Sequence, residues 1–290
     1  MSNRLIAGAA FVLGLGSLGW FVMRAEPAVG SAAAVSVQTS LPASGATANE
    51  RLAASPRHAE WAMIRAGEDS VRAWVVHPAN PENAPVVVAI HDNRGMSNWI
   101  RAVADQLAAD GFIAIAPDML SMLDVARAPD GESDPAAVRS QIGQVDQAAR
   151  DRYIQAVGEW GTRLPGASSR YGIVGFCWGG STVFAHAVAA PASLGAVVVY
   201  YGGSPPPDAL GSVRAPILGL YGGDDARVIQ TVAPAKEALD ALGRIFEPHF
   251  FEGAGHGFTR SQEERDGANR RAIEQAWPLT VAWFRQRLSG

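Results

Sequence analysis

The chain has 290 residues, 48% of them apolar and 18% charged, with 31 glycines and 18 prolines, a composition that can bury a sizeable core. It excludes a collagen-like, coiled-coil or wholly disordered chain. Lys and Arg number 24 against 28 Asp and Glu, a formal net charge of -4 with no basic run, so no nucleic-acid partner is expected.

Taken from the N-terminus, residues 5–23 form an uncharged apolar run, LIAGAAFVLGLGSLGWFVM, between Arg4 and Arg24. Its length falls between a signal-peptide core of about 7 to 15 residues and a membrane span of roughly 20. Two readings of residues 1–24 stand. The small residues Ala28 to Ala34 fit a cleavable signal peptide, and the bulky end Trp20-Phe21-Val22-Met23 fits an uncleaved membrane anchor. Both place the remainder outside the cytoplasm, either periplasmic or secreted, or tethered to the membrane. Residues 25–56, rich in Ala, Ser, Thr, Pro and Gly without an apolar period, predict a disordered linker. Residues 57–290 fit one domain without internal repeats, expected to act as a monomer.

Within that domain, residues 71–76 predict an edge strand paired with residues 59–65. Further strands are predicted at 85–91, 112–116, 171–176, 196–201, 217–221 and 245–251. Between them the patterns predict helices at 98–110, 135–163, 179–190, 233–242 and 263–288, and a long loop at 118–134. Alternation of short β-branched runs with longer helical patterns defines an α/β fold, a mostly parallel central sheet with helices on both faces.

The most informative stretch is Gly175-Phe176-Cys177-Trp178-Gly179-Gly180, where an apolar strand runs into a helix. This is the nucleophile-elbow pattern with cysteine in place of serine. The turn is tight, so side chains at Gly175 and Gly179 would meet neighbouring backbone, and it puts sulfur at a helix N-terminus, where positive potential favours thiolate. Cys177 is the one cysteine, which excludes an intramolecular disulfide and a thiolate zinc cluster. A nucleophile needs a base and the base an orienting acid. Downstream strands end in Gly222-Gly223-Asp224-Asp225 and in Gly253-Ala254-Gly255-His256, which supply both at strand ends. His58, His77, His186 and His249 lack this glycine-rich setting. His91 ends a buried strand beside Asp92-Asn93-Arg94-Gly95, where the second oxyanion donor belongs, so the amides of Asn93 and Trp178 are the expected donors. No histidine pair has the spacing of a helical metal site, and neither a metal nor a cofactor is expected.

Four stretches together, His91-Asp92-Asn93-Arg94-Gly95, the Cys177 elbow, Gly222-Gly223-Asp224-Asp225 and Gly255-His256-Gly257-Phe258-Thr259-Arg260, resemble the dienelactone hydrolase family of the α/β-hydrolase superfamily, from about residue 85 onward. The resemblance implies Cys177 as nucleophile, His256 as base and Asp225, rather than Asp224, as the acid. It implies that Arg260 holds a substrate carboxylate, with Arg139 as a second arginine from the segment before the elbow. Asp92 stands where the family usually carries a glutamate that contacts the nucleophile, a shorter side chain. The implied activity is hydrolysis of a small ester or lactone, carboxymethylenebutenolidase-like, through a thioester. The competing expectation is a membrane-tethered, non-catalytic ligand-binding module; a thiol redox sensor would need a partner thiol from another molecule.

Overall fold

The computed structural model describes residues 40–288, and the predicted signal or anchor segment and residues 25–39 of the predicted linker lie outside it. One eight-stranded sheet runs in the order β1-β2-β4-β3-β5-β6-β7-β8. Its strands are β1 (Ala59–Ala66), β2 (Asp69–Val76), β3 (Ala84–Ile90), β4 (Ile113–Pro117), β5 (Ala167–Phe176), β6 (Leu194–Tyr200), β7 (Ile217–Gly222) and β8 (Phe246–Phe251). β1 and β2 pair antiparallel, β2 joins β4 antiparallel, and every other pairing is parallel. β1 is therefore the edge, and β2, expected at the edge, lies one strand inside it.

The sheet is doubly covered because its central strands are apolar on both faces. Along β3, Val86, Val88 and Ile90 enter one core while Val87 and Ala89 enter the other, the two-residue period of a strand. One core receives Ile154 and Val157 of α4 (Gln147–Gly161) and Phe184 of α5 (Trp178–Ala189). The other receives Trp99, Ile100 and Leu107 of α2 (Asn98–Ala109) with Trp277 and Phe284 of α8 (Ala268–Leu288). Two short helices and one longer one lie between these elements: α3 (Pro135–Gln141), α6 (Ala226–Ile229) and α7 (Val232–Ala241).

Three further sequence expectations change. The helix predicted over 135–163 is two helices, each with its own aspartate cap: Asp134 accepts from the Ala136 and Ala137 amides, and Asp146 from Ala149 at 2.8 Å. The helix predicted from 263 begins at Ala268, because Arg265, Asp266 and Gly267 all have positive φ, which no helix continues. The linker predicted to residue 56 ends at or before residue 40. Residues 40–56 contain α1 (Ala48–Ala53) and bury Ala43, Ser44 and Ala48. Trp99 Nε1 donates to the Ala43 carbonyl (3.2 Å), Gln262 Nε2 to Pro42 (2.9 Å), and Arg57 meets Asp105 through two bonds of 2.8 and 2.7 Å. Alanine and serine carry no apolar period, yet their small side chains let this segment lie close against α2. The loop after β4 is long, as expected, and is anchored by buried Asp118, which accepts from Arg127 Nε at 3.0 Å. Among the described residues no helix is long and apolar enough to cross a membrane.

Candidate active site

Cys177, Asp225 and His256 follow β5, β7 and β8, and His91 to Asn93 follow β3, so all sit at the carboxyl ends of parallel strands, where such sheets form their crevice. Cys177 has φ 57° and ψ -112°, a conformation costing a non-glycine residue roughly 1–3 kcal/mol. Two backbone bonds hold it there, Cys177 N–H to the Tyr200 carbonyl and Ser181 N–H to the Cys177 carbonyl, each 3.0 Å. The glycines around it are dictated by contact: a Cβ on Gly175 would stand 2.1 Å from the Gly179 oxygen, and one on Gly179 would stand 2.4 Å from the His91 oxygen.

His256 Nε2 lies 3.0 Å from Cys177 Sγ, and its Nδ1 lies 2.5 Å from Asp225 Oδ2. Asp225 is buried, and Tyr201 meets the His256 ring edge-on at 5.1 Å between centroids. The His256 imidazolium is held above its ordinary pKa of 6.5, first by the bond to Cys177 and then by Asp225, against the opposing effect of burial. A relay of this form can keep a proton on the ring while sulfur carries the negative charge. Asp224, the neighbouring carboxylate, turns outward to Arg265 Nη1 at 2.6 Å.

Among the described residues the Asn93 and Trp178 amides find no acceptor, which leaves both open to an oxyanion. Trp178 is fixed by stacking on His91, with centroids 5.6 Å apart. His91 itself is fully buried and depressed in pKa by that burial. Its Nε2 accepts from the Met119 amide (3.2 Å), which puts the proton on Nδ1, facing the Asp92 carbonyl at 2.8 Å. A neutral ring thus ties the oxyanion turn to the loop after β4.

The Asp92 carboxylate accepts from the Arg94 amide (2.8 Å) and faces Arg260 Nη1 at 3.6 Å; the hydrogen bond of Cys177 Sγ goes to His256. Arg260 is mostly buried, its Cζ 5.4 Å from the Trp99 ring centroid, and its Nη1 has no hydrogen-bond acceptor. Its backbone carbonyl accepts from Gly45 N–H at 2.8 Å, so the segment before β1 buttresses this cation. Arg139 stands exposed in the last turn of α3 and does not join the group. Arg150 of α4 is the arginine that stands beside the elbow, with its Cζ 5.4 Å from the Trp178 ring centroid and Nη1 3.3 Å from Thr182 Oγ1. The sequence signal for it is the position of Arg150 in the first turn of a helix capped at Asp146, the helix before the strand that ends at the elbow.

Comparison with known proteins gives the family and the fold. The family model described as "Dienelactone hydrolase family" matches residues 71–288. Proteins of Salmonella typhimurium and Escherichia coli, each named "putative carboxymethylenebutenolidase", are 30% identical over 231 residues, covering 75% of this chain and 83% of theirs. A crystal structure from Klebsiella pneumoniae, titled "putative dienelactone hydrolase", superposes with a TM-score of 0.69 at 27% identity, over 79% of this chain and 99% of its own.

Proposed function

The chain belongs to the dienelactone hydrolase family, and on that premise we propose that it cleaves a small, acidic ester or lactone through a thioester on Cys177. It is a carboxylic ester hydrolase, an α/β-hydrolase whose relatives are named for carboxymethylenebutenolide cleavage. The observation that carries the mechanism is the continuous contact Cys177 Sγ, His256, Asp225, with spacings of 3.0 and 2.5 Å.

In the proposed cycle the Sγ thiolate attacks the carbonyl carbon, a C–S bond forms, and the carbonyl electron pair moves onto oxygen. The Asn93 and Trp178 amides stabilise that oxyanion. When it collapses, the C–O bond breaks and the leaving alkoxide or enolate takes the proton that His256 carries. His256 then removes a proton from water, the resulting hydroxide attacks the thioester, and thiolate departs. Thiolate leaves a tetrahedral intermediate more easily than an amide nitrogen does, so esters and lactones with stabilised leaving groups are favoured over amides. Arg260, with an unused donor, and Arg150 beside Trp178 supply the cations for a substrate carboxylate. The intact relay favours catalysis over a binding-only module. The apolar run of residues 5–23 supports action outside the cytoplasm, free or tethered to the membrane.

The test is mass spectrometry of the full chain, quenched during incubation with p-nitrophenyl esters and unsaturated lactones. An acyl adduct on Cys177 that accumulates and decays supports the mechanism. Turnover that persists in Cys177→Ala refutes it.

A further inference from the structure

His58 immediately precedes β1 and His77 immediately follows β2, and the antiparallel register Ala59↔Val76 sets the two histidines directly opposite each other. The His77 amide donates to the His58 carbonyl at 3.0 Å, and the rings stack with centroids 5.4 Å apart. Glu60 is two residues beyond His58 and so projects from the same face of the strand. Its Oε1 stands 3.8 Å from His58 Nε2 and also 3.8 Å from His77 Nε2, and one ligand atom from each of the three residues lies within 4.8 Å of the others.

Two ligands about 2.1 Å from a tetrahedral zinc ion stand about 3.4 Å apart. The two Glu60 spacings need only about half an ångström of adjustment, and the two imidazole nitrogens, within 4.8 Å of each other, close further by rotating side chains that are 69% and 25% exposed for His58 and His77, against 56% for Glu60. Two imidazoles and one carboxylate suit zinc or a similar borderline divalent ion; calcium and magnesium demand oxygen donors throughout. We propose that His58, Glu60 and His77 form a three-ligand divalent-metal site of zinc type, with water completing the coordination. Its place in the sheet gives it a role. β2 runs antiparallel to β4 with Val76 opposite Ala114, so His77 lies at the end of the sheet opposite the carboxyl ends that carry Cys177, Asp225 and His256. An ion there staples the entry of the edge strand β1 to the exit of β2 and takes no part in ester cleavage.

The proposal is tested on the full chain, stripped by chelator and carbamidomethylated at Cys177 so that the thiolate cannot take up the ion. Calorimetric titration with zinc chloride should show one equivalent bound at roughly micromolar concentration, and at a hundredfold excess over Kd the melting temperature should rise by roughly 5 °C. His77→Ala should abolish both effects, and Glu60→Gln, a change at an exposed side chain, should weaken binding by about tenfold or more. No bound equivalent, or one that survives both substitutions, overturns the assignment.

Discussion

Replacing Arg260 by glutamine tests whether the site selects acidic substrates. The guanidinium is largely desolvated, faces Asp92 at 3.6 Å and has an Nη1 without an acceptor, so an incoming carboxylate would complete it. A hydrogen bond to a charged group is worth about 1.5–3 kcal/mol, which at about 1.4 kcal/mol per tenfold is roughly a 10- to 150-fold change in kcat/KM. The assay compares two p-nitrophenyl esters whose acyl chains match in length, one ending in a carboxylate and one in a methyl group. Arg260→Gln should collapse the acidic-to-neutral ratio of kcat/KM by that factor. Asp92→Asn should move the ratio the other way, because Asp92 competes for the same cation and repels the substrate. Even with water-like screening, two negative charges about 5.5 Å apart repel by about 0.8 kcal/mol, so a gain of roughly fourfold is the lower bound. If Arg260→Gln depresses both esters equally, or Asp92→Asn lowers the acidic one selectively, the carboxylate role of Arg260 is wrong.

Further outcomes follow from other contacts. Asp225→Asn preserves the shape of the relay but presents the wrong hydrogen-bonding partner to His256 Nδ1, and kcat should fall by about 10³- to 10⁴-fold in single-turnover kinetics. His256 titrates above 6.5 when folded and near 6.5 when unfolded, so its stabilisation is complete below about 6.5 and is lost as pH climbs through the raised value. Melting temperature should accordingly decline over that window, and Cys177→Ala, which removes the largest cause of the shift, should flatten the decline. Gly179→Ala sets a methyl 2.4 Å from the His91 oxygen and 2.5 Å from the Ile90 oxygen, both backbone atoms. Denaturant unfolding should register a loss of about 3 kcal/mol. At Gly45 an added Cβ would lie 3.1 Å from Arg260 Cγ, so Gly45→Val should reduce the acidic-to-neutral ratio by about three- to tenfold with melting little changed.

The sheet was legible because its central strands are buried on both faces and so appear as short, dense β-branched runs. All the strands predicted from those runs exist, with ends displaced by up to four residues, as at β5. Composition does not stand in for packing. Residues 40–56 look like spacer because alanine, serine and proline have no period, yet Pro42 and Ala43 offer their carbonyls to Gln262 and Trp99, partners 220 and 56 residues away. The break between α3 and α4 was open to view in Asp146, a second capping residue inside one apparently continuous helical pattern. The edge is not legible because β1 and β2 carry similar alternation, and it is β4, pairing with β2, that decides which lies outside.

The same distinction runs through the site. The elbow could be read because its constraint is local: Gly175, Cys177 and Gly179 meet one another and the end of β3 within a single turn. The choice between Asp224 and Asp225 is not local. Adjacent residues point in opposite directions, and what commits Asp224 to the surface is Arg265, 41 residues downstream, leaving Asp225 to the histidine. Arg139 and Arg150 differ in the same way, since the break after α3 leaves one on the surface and the other over Trp178. His58 and His77, 19 residues apart in sequence, have no helical ligand spacing because they meet across a strand pair, through a register fixed by the residues between them. A chemical group is legible in sequence, then, when the backbone that aims it is its own turn, and it becomes illegible when the aim is set by a partner brought in by the sheet.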